Sequence, residues 1–234
     1  IILKTPRIIK DWQVSALMAE LELFSALKPD AVSIANFGMA YIVRRHFPEL
    51  TVHGDYSLNI FNSVAIEYFR QHGMKSLTLS PELNFNQIEY LADLTDAELE
   101  CIVHGYLTLM ISEYCVVGSY LGARHREQCQ QVCLHKSVWL RDRMNERFPV
   151  HTDQYCRMHI LNAKELSMLP YLSKFKRLGI SRIRIEALTY TAEQLGRIVR
   201  AYRELLDSDK EFDKIKEKTG IEENPNITRG HYFR

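Results

Sequence analysis

The strongest chemical signal in this sequence is a set of four cysteines, Cys115, Cys129, Cys133 and Cys156, spaced C-x13-C-x3-C-x22-C. Four thiolates are enough to close a tetrahedral zinc site or to hold a 4Fe–4S cluster. Zinc knuckles favour close ligand pairs, whereas here single cysteines spread around one x3 pair, so the spacing sits less comfortably with zinc. The competing reading is that they are small buried hydrophobes, and their crowding into one irregular stretch argues against it. The fifth, Cys101, lies in the apolar run Cys101-Ile102-Val103 and reads as core. An odd number of cysteines crowded mid-chain makes a poor disulfide framework and favours thiols in a reducing cytoplasm.

A second set of polar residues follows short β-branched runs: Arg7, Asn36, His53, Asp55, Glu82, His104 and Glu186. In a barrel of parallel strands, functional groups gather on the loops beyond the C-terminal strand ends. We expect Asp55, Glu82 and His104 to be catalytic, with Arg7, Asn36, His53 and Glu186 binding substrate. His104 heads this set, because His104-Gly105 closes a strand-like run and leads into the cysteine stretch; a histidine there can move a proton or contact substrate. Any one of these residues is equally able to serve as a cap or a structural hydrogen-bond partner. Asn59, Asn62 and Asn84 read as helix caps. Neither a nucleophile elbow nor an HExxH helix nor a Ser/His/Asp order is present, so conventional protease machinery is missing from this sequence.

These residues need positioning elements, and the apolar patterning supplies them. Strand-like runs at 1–5, 31–35, 50–53, 76–80, 99–104 and 181–186 alternate with amphipathic helical stretches, the signature of parallel βα units. Asp11 opens the first helix as an N-cap, with Val14, Leu17, Met18, Leu21, Phe24 and Leu27 on one face. Gly73 ends a later helix, and Leu166 to Leu178 form another, entered through Asn162 and ended at Gly179. No glycine-rich phosphate loop follows a strand, which weakens a dinucleotide-binding fold. A full eight-unit barrel takes about 250 residues, so six units point to a (β/α) TIM-type barrel, incomplete in this chain with its first units missing. The domain expectation is a partial barrel over 1–206 that includes a cysteine-rich insertion at 105–160 with a hairpin (137–141 against 148–151), followed by a C-terminal helix and tail at 207–234. An insertion this long is too large for an ordinary connection and points to function.

Composition bounds the rest. With 234 residues, 46% hydrophobic, 25% charged and a net charge of +1, the chain is an ordinary globular one whose charge announces neither a nucleic acid nor a membrane. No apolar run reaches the roughly 20 residues that span a bilayer.

The run Leu99-Glu100-Cys101-Ile102-Val103-His104-Gly105, with Cys115 ten residues on, resembles the signature of the U32 peptidase family of collagenase-like proteins. Gly54-Asp55-Tyr56-Ser57-Leu58-Asn59, Leu79-Ser80-Pro81-Glu82-Leu83 and Thr228-Arg229-Gly230-His231-Tyr232 support it. Met110 to Cys115 and Thr152 to Arg157 look most like large bacterial members with an extra collagenase-associated domain. The resemblance implies proteolysis of collagen-like or other peptides by the family's name. It also implies a 4Fe–4S cluster and oxygen-independent hydroxylation in relatives whose substrates are tRNA and ribosomal RNA bases or a quinone precursor, with prephenate implicated in the RNA branch. Cys115, Cys129, Cys133 and Cys156 are the positions onto which that ligand set falls. One departure is Thr108, where the signature often has a cysteine seven residues before Cys115. Three readings therefore stand: an Fe–S-dependent enzyme hydroxylating an RNA base, a peptidase, or a scaffold with structural zinc. The implied partners are RNA, a small molecule or a peptide as substrate, together with the rest of the same polypeptide completing the barrel, and no membrane.

Overall fold

A computed structural model describes residues 1–120, 129, 131–207, 212, 215 and 226–234. The chain forms two compact units, one of Ile1–Ile102, Ser173–Arg184 and Gly230–Arg234, the other of Val103–Leu172 and Ile185–Arg229.

The first unit is a run of βα repeats: β1 (Ile2–Lys4), α1 (Asp11–Ala26), β2 (Ala31–Ile34), α2 (Phe37–His46), β3 (Val52–Gly54), α3 (Ser63–Gln71), β4 (Met74–Thr78), α4 (Phe85–Asp93) and the first residues of β5 (Glu98–Gly105). The strands pair in parallel and in sequence order, β1 to β2, β2 to β3, β3 to β4 and β4 to β5, as short apolar strands linked by crossover helices require. Asn36, Asn62 and Asn84 cap α2, α3 and α4 through side chains that accept from Met39, Ala65 and Gln87 N–H. Gly73, at φ +84°, takes the left-handed conformation that stops α3. Asp11 is the first helical residue of α1 and Lys10 precedes it as cap, with Lys10 N–H donating to the Gln13 side chain. Leu17 and Leu21 are buried, while Leu27 follows the helix and is exposed. Beneath α4, Phe85 packs on Phe175 and Tyr232, and the Tyr232 hydroxyl donates to the Ile102 carbonyl at 2.6 Å.

The second unit begins with the end of β5. It continues through β6 (Thr108–Ser112), α5 (Val116–Tyr120), β7 (Val138–Arg141), β8 (Arg147–Thr152), β9 (Met158–Leu161) and β10 (Glu165–Ser167). α6 (Leu172–Arg177), from Ser173 on, and β11 (Arg182–Glu186) as far as Arg184 belong to the first unit, where β11 pairs with β5; α7 (Ala192–Asp207) and β12 (Ile227–Thr228) belong to the second. The expected hairpin is β7 and β8, which β9 and β6 extend into a four-stranded antiparallel sheet. Leu166 lies in a strand rather than in the expected helix: Leu166 and Ser167 pair antiparallel with Gly105 and His104, and β10 runs parallel to β12. The next helical turn begins only at Leu169, with Pro170 in its first positions, where a missing N–H is harmless. The structure is thus mixed α/β with a parallel sheet, and strand pairing from β1 to β5 does not return to β1 among the described residues. The expected C-terminal helix beyond Asp207 falls almost wholly outside the described residues, as do 121–128 and 130 of the cysteine segment. Among the described residues no helix is long and apolar enough to cross a membrane.

Candidate functional site

Polar residues recur at every second position in the strands of the first unit and turn inward together. His53, Ser76, Thr78 and Glu100 are all buried. His53 Nδ1 lies 2.7 Å from Ser76 Oγ and its Nε2 2.8 Å from Thr78 Oγ1. Thr78 donates to Glu100 Oε1 at 2.9 Å, and His53 Nε2 stands 3.6 Å from the same carboxylate. Asp55, directly after β3, accepts from Arg184 Nη1 at 2.6 Å and pairs with Lys4 Nζ at 3.2 Å; Arg184 also reaches Glu100 at 3.7 Å. Arg182 Nη1 donates to Ser76 Oγ at 2.9 Å, and its other arm pairs with Glu98. Burial alone pushes the Asp55 carboxyl up, but the Lys4 and Arg184 charges together outweigh it and hold the group below its ordinary range. For Glu100 burial again pushes upward, and His53, Arg184 and Thr78 win, keeping it low. Both acids are therefore carboxylates near neutrality. This is a pre-organised, desolvated network in which each ion has a partner, as such burial demands.

The second unit holds His104. Its Nε2 lies 3.0 Å from Glu165 Oε1, its Nδ1 3.3 Å from the Tyr202 hydroxyl, and the side chain is buried. Tyr202 OH donates to the Val103 carbonyl at 3.0 Å, and the Tyr190 hydroxyl donates to Glu165 Oε1. Burial raises the Tyr190 phenol, and the Glu165 carboxylate raises it further; burial is also the main cause of the raised Tyr202 phenol. Both phenols stay protonated and act as donors. Gly105, at φ +108°, must be glycine: a Cβ there would lie 2.1 Å from the Glu186 carbonyl oxygen. The backbone thus brings Glu186 against the residue that follows His104. His104 Nε2 is buried beside the Glu165 carboxylate without making a hydrogen bond among the described residues, so the imidazole and the carboxylate are close neighbours flanked by two phenols.

The sequence-expected residues divide accordingly. Asp55 and His53 meet in the first network, and His104 centres the second. Asn36 is a cap, its Nδ2 donating to the Arg7 carbonyl at 3.3 Å. Arg7 is exposed, with its guanidinium 6.0 Å from the centre of the Tyr56 ring. Glu82 is exposed in the turn after β4, its N–H donating to Ser80 Oγ at 3.3 Å, and contacts neither network through a hydrogen bond or ion pair. Sequence reasoning missed Lys4, Glu100, Arg182, Arg184, Glu165, Tyr190 and Tyr202. For Glu100, Arg182 and Arg184 the signal was available: Glu98 and Glu100, like Arg182 and Arg184, alternate with apolar residues along their strands, which marks a polar interior face.

The cysteines lie on the antiparallel part of the second unit. Cys115 and Cys133 both pack against the cluster of Val117, Val150 and Met158. Gly118 N–H points at Cys115 Sγ and Gln131 N–H at Cys129 Sγ, each at 3.4 Å. Cys156 takes a left-handed backbone, φ +58°, held by Asp153, whose carbonyl accepts from Cys156 N–H at 2.9 Å and whose carboxylate accepts from Tyr155 and Arg157 N–H. Lys28, Asn59, Gln131 and Asn145 share this left-handed conformation. Arg157 Nε donates to Glu113 Oε1 at 2.6 Å, tying the segment before Cys115 to the one containing Cys156. The donor set suits a thiolate-ligated centre, yet among the described residues no three His, Cys, Asp or Glu side chains converge as a metal site. Cys101 is buried in β5, and burial pushes its thiol far up, which leaves it inert.

Comparison with known proteins gives these features a context. Among curated proteins, the chain is 23% identical over 86% of its length to tRNA hydroxylation protein P of Escherichia coli, covering 54% of that protein. It is 27% identical over 92% of its length to the uncharacterized protease MJ0090 of Methanocaldococcus jannaschii, again covering 54%. It is 23% identical over 76% of its length to the Escherichia coli 23S rRNA 5-hydroxycytidine C2501 synthase, covering 26% of it. The chain thus spans about half the length, or less, of these relatives. The sequence profile of peptidase family U32 matches residues 2–233, nearly the whole chain, and the chain therefore belongs to peptidase family U32.

Proposed function

We propose that this chain is part of an RNA-modifying enzyme that hydroxylates a base, with His104 as its proton-handling residue. The observation that carries the reading is the buried His104 imidazole beside the Glu165 carboxylate, flanked by Tyr190 and Tyr202, with no nucleophile paired to the histidine among the described residues. Two relatives whose names state tRNA hydroxylation and 5-hydroxycytidine synthesis in rRNA support it. Replacing a base C–H by C–OH adds one oxygen and removes two electrons. An organic hydroxyl donor such as prephenate, giving up its oxygen and taking up the two electrons, balances the change. Cys115, Cys129, Cys133 and Cys156 would hold a 4Fe–4S cluster, which supplies one-electron chemistry when bound; zinc in the same thiolates would make the site structural. Glu165 orients the His104 imidazole, and the two phenols exclude water from it while donating hydrogen bonds. We further propose that the parallel strands are the arc of a (β/α) barrel completed by the rest of the polypeptide.

The peptidase reading is favoured by the family's name and by the relative named as a protease. One experiment separates the two. Full-length protein, purified anaerobically, is assayed for hydroxylated nucleosides in RNA and for cleavage of denatured collagen. Hydroxylation that disappears with His104→Ala, at unchanged iron content, supports the proposal. Collagen cleavage by iron-free protein, with no nucleoside change, refutes it.

A further inference from the structure

In the first unit, the connections that leave the carboxyl ends of β3 and β4, with the first turns of the helices that follow, border an open and mainly apolar pocket of about 330 Å³, lined by Phe61, Asn62, Asn84, Asn86, Gln87 and Tyr90 together with Ser63 and Leu91. Its volume is at the lower end of the range for small-ligand sites, and its place beyond the carboxyl ends of parallel strands is where α/β sheets bind ligands. None of the lining residues is charged. The carboxamides are not equivalent, because helix capping fixes which end of each is committed. Asn62 Oδ1 accepts from Ala65 N–H at 2.8 Å, Asn84 Oδ1 from Gln87 N–H at 3.0 Å, and Gln87 Oε1 from Asn84 N–H at 2.9 Å. The three oxygens face the helix backbones, so the NH2 end of each amide remains without a partner among the described residues. The Asn86 carboxamide and the Tyr90 hydroxyl likewise make no hydrogen bond among them. Tyr90 and Phe61 are 65% and 42% exposed, so each offers an aromatic face or edge.

A pocket of amide donors and aromatic rings without charge fits a neutral, flat ligand whose edge is rich in carbonyl and ring-nitrogen acceptors. A pyrimidine base has that form, and aromatic stacking is how unpaired bases are held. Phosphate fits poorly, since no lysine or arginine lines the pocket. We infer that this pocket holds an unstacked pyrimidine of the RNA substrate, stacked on Tyr90 or Phe61 and read by the NH2 groups of Asn62, Asn84 and Gln87 and by the Asn86 carboxamide. The lining groups neither titrate near neutrality nor ligate a redox centre, so the base held here is a neighbour of the modified one. The inference rests on the RNA reading above and adds where a second base is gripped.

The test uses full-length protein and fluorescein-labelled ten-nucleotide oligouridylate and oligoadenylate, followed by fluorescence anisotropy. Hydroxylated nucleosides are measured in parallel. Wild type is expected to bind oligouridylate more tightly than oligoadenylate. Tyr90→Ala should weaken oligouridylate binding roughly tenfold, Asn86→Ala about threefold, and Tyr90→Phe by much less. Glu89→Gln, a change at an exposed residue of the same helix, should leave affinity unaltered. Equal affinity for both probes, or Tyr90→Ala and Asn86→Ala binding like wild type, overturns the inference while leaving a measured hydroxylation intact. Failure to bind either RNA, with denatured-collagen peptide binding lost in Tyr90→Ala, assigns the pocket to peptides and overturns it together with the RNA reading.

Discussion

Replacing Arg184 by methionine should open the polar interior of the first unit. The guanidinium is 2.6 Å from Asp55 and 3.7 Å from Glu100, and the Asp55 side chain is 1% exposed. Removing one member of a buried ion pair costs about 3–5 kcal/mol, because the partner charge is left desolvated. Two features reduce that figure here. Lys4 stays 3.2 Å from Asp55, and Glu100 keeps Thr78 at 2.9 Å and His53 at 3.6 Å. We therefore expect Arg184→Met to destabilise this unit by about 2–3 kcal/mol. The measurement is urea-dependent hydrogen exchange of the β3 to β5 amides in the full-length protein, which isolates the unit from others in the chain. Arg184→Met with Asp55→Asn should cost less than the sum of the two single changes by at least about 1 kcal/mol, since the second removes the charge that the first strands. A loss under about 0.5 kcal/mol, or strict additivity, would refute the view that this network is buried and coupled.

Acid should act on the same network. The Asp55 and Glu100 carboxyls are held below their ordinary values, so the unfolded chain takes up their protons first as pH falls. Their stabilisation is full above about pH 5 and is lost as pH falls through the folded-state values; a unit that becomes less stable as pH rises from about 3 to 5 contradicts this sign. Gly105→Ala should destabilise the second unit by more than about 2 kcal/mol, from a positive φ and a clash with the Glu186 carbonyl, read as a fall in thermal midpoint; an unchanged midpoint shows that the backbone can shift away. Cys133→Ser should lose iron and sulfide while Cys101→Ala retains both, by chemical analysis of anaerobically purified protein; equal iron in the two variants removes Cys133 from the ligand set. Tyr190→Phe deletes the hydroxyl that donates to Glu165 and should lower the hydroxylation rate at least several-fold with iron unchanged, whereas an unaltered rate and pH profile make Tyr190 only a packing residue.

Much of the parallel half could be read directly from the sequence. The strand runs near 31–35, 76–80 and 99–104 are β-branched stretches closed by turn residues, and β2, β4 and β5 fall on them. Asn62 and Asn84 cap α3 and α4 as their position before apolar helical runs predicts. Leu166 misled because Leu166, Leu169 and Leu172 have helical spacing, while the backbone of Leu166 is claimed by Gly105, a partner 61 residues away. Long-range pairing of this sort leaves no local trace. Glu165, Tyr190 and Tyr202 were invisible for the same reason, since they converge on His104 from distant segments. Arg182 and Arg184 were different: their alternation within a strand was visible and needed only the inward face to be recognised.

Nucleoside mass spectrometry of RNA tests the central claim most directly. A strain lacking the gene for the full-length protein is complemented with wild type, His104→Ala or Cys133→Ser. The account predicts that wild type restores a hydroxylated base and that neither variant does, with His104→Ala retaining its iron and Cys133→Ser losing it. Full restoration by both variants, or no hydroxylated base dependent on the wild-type gene, would contradict it.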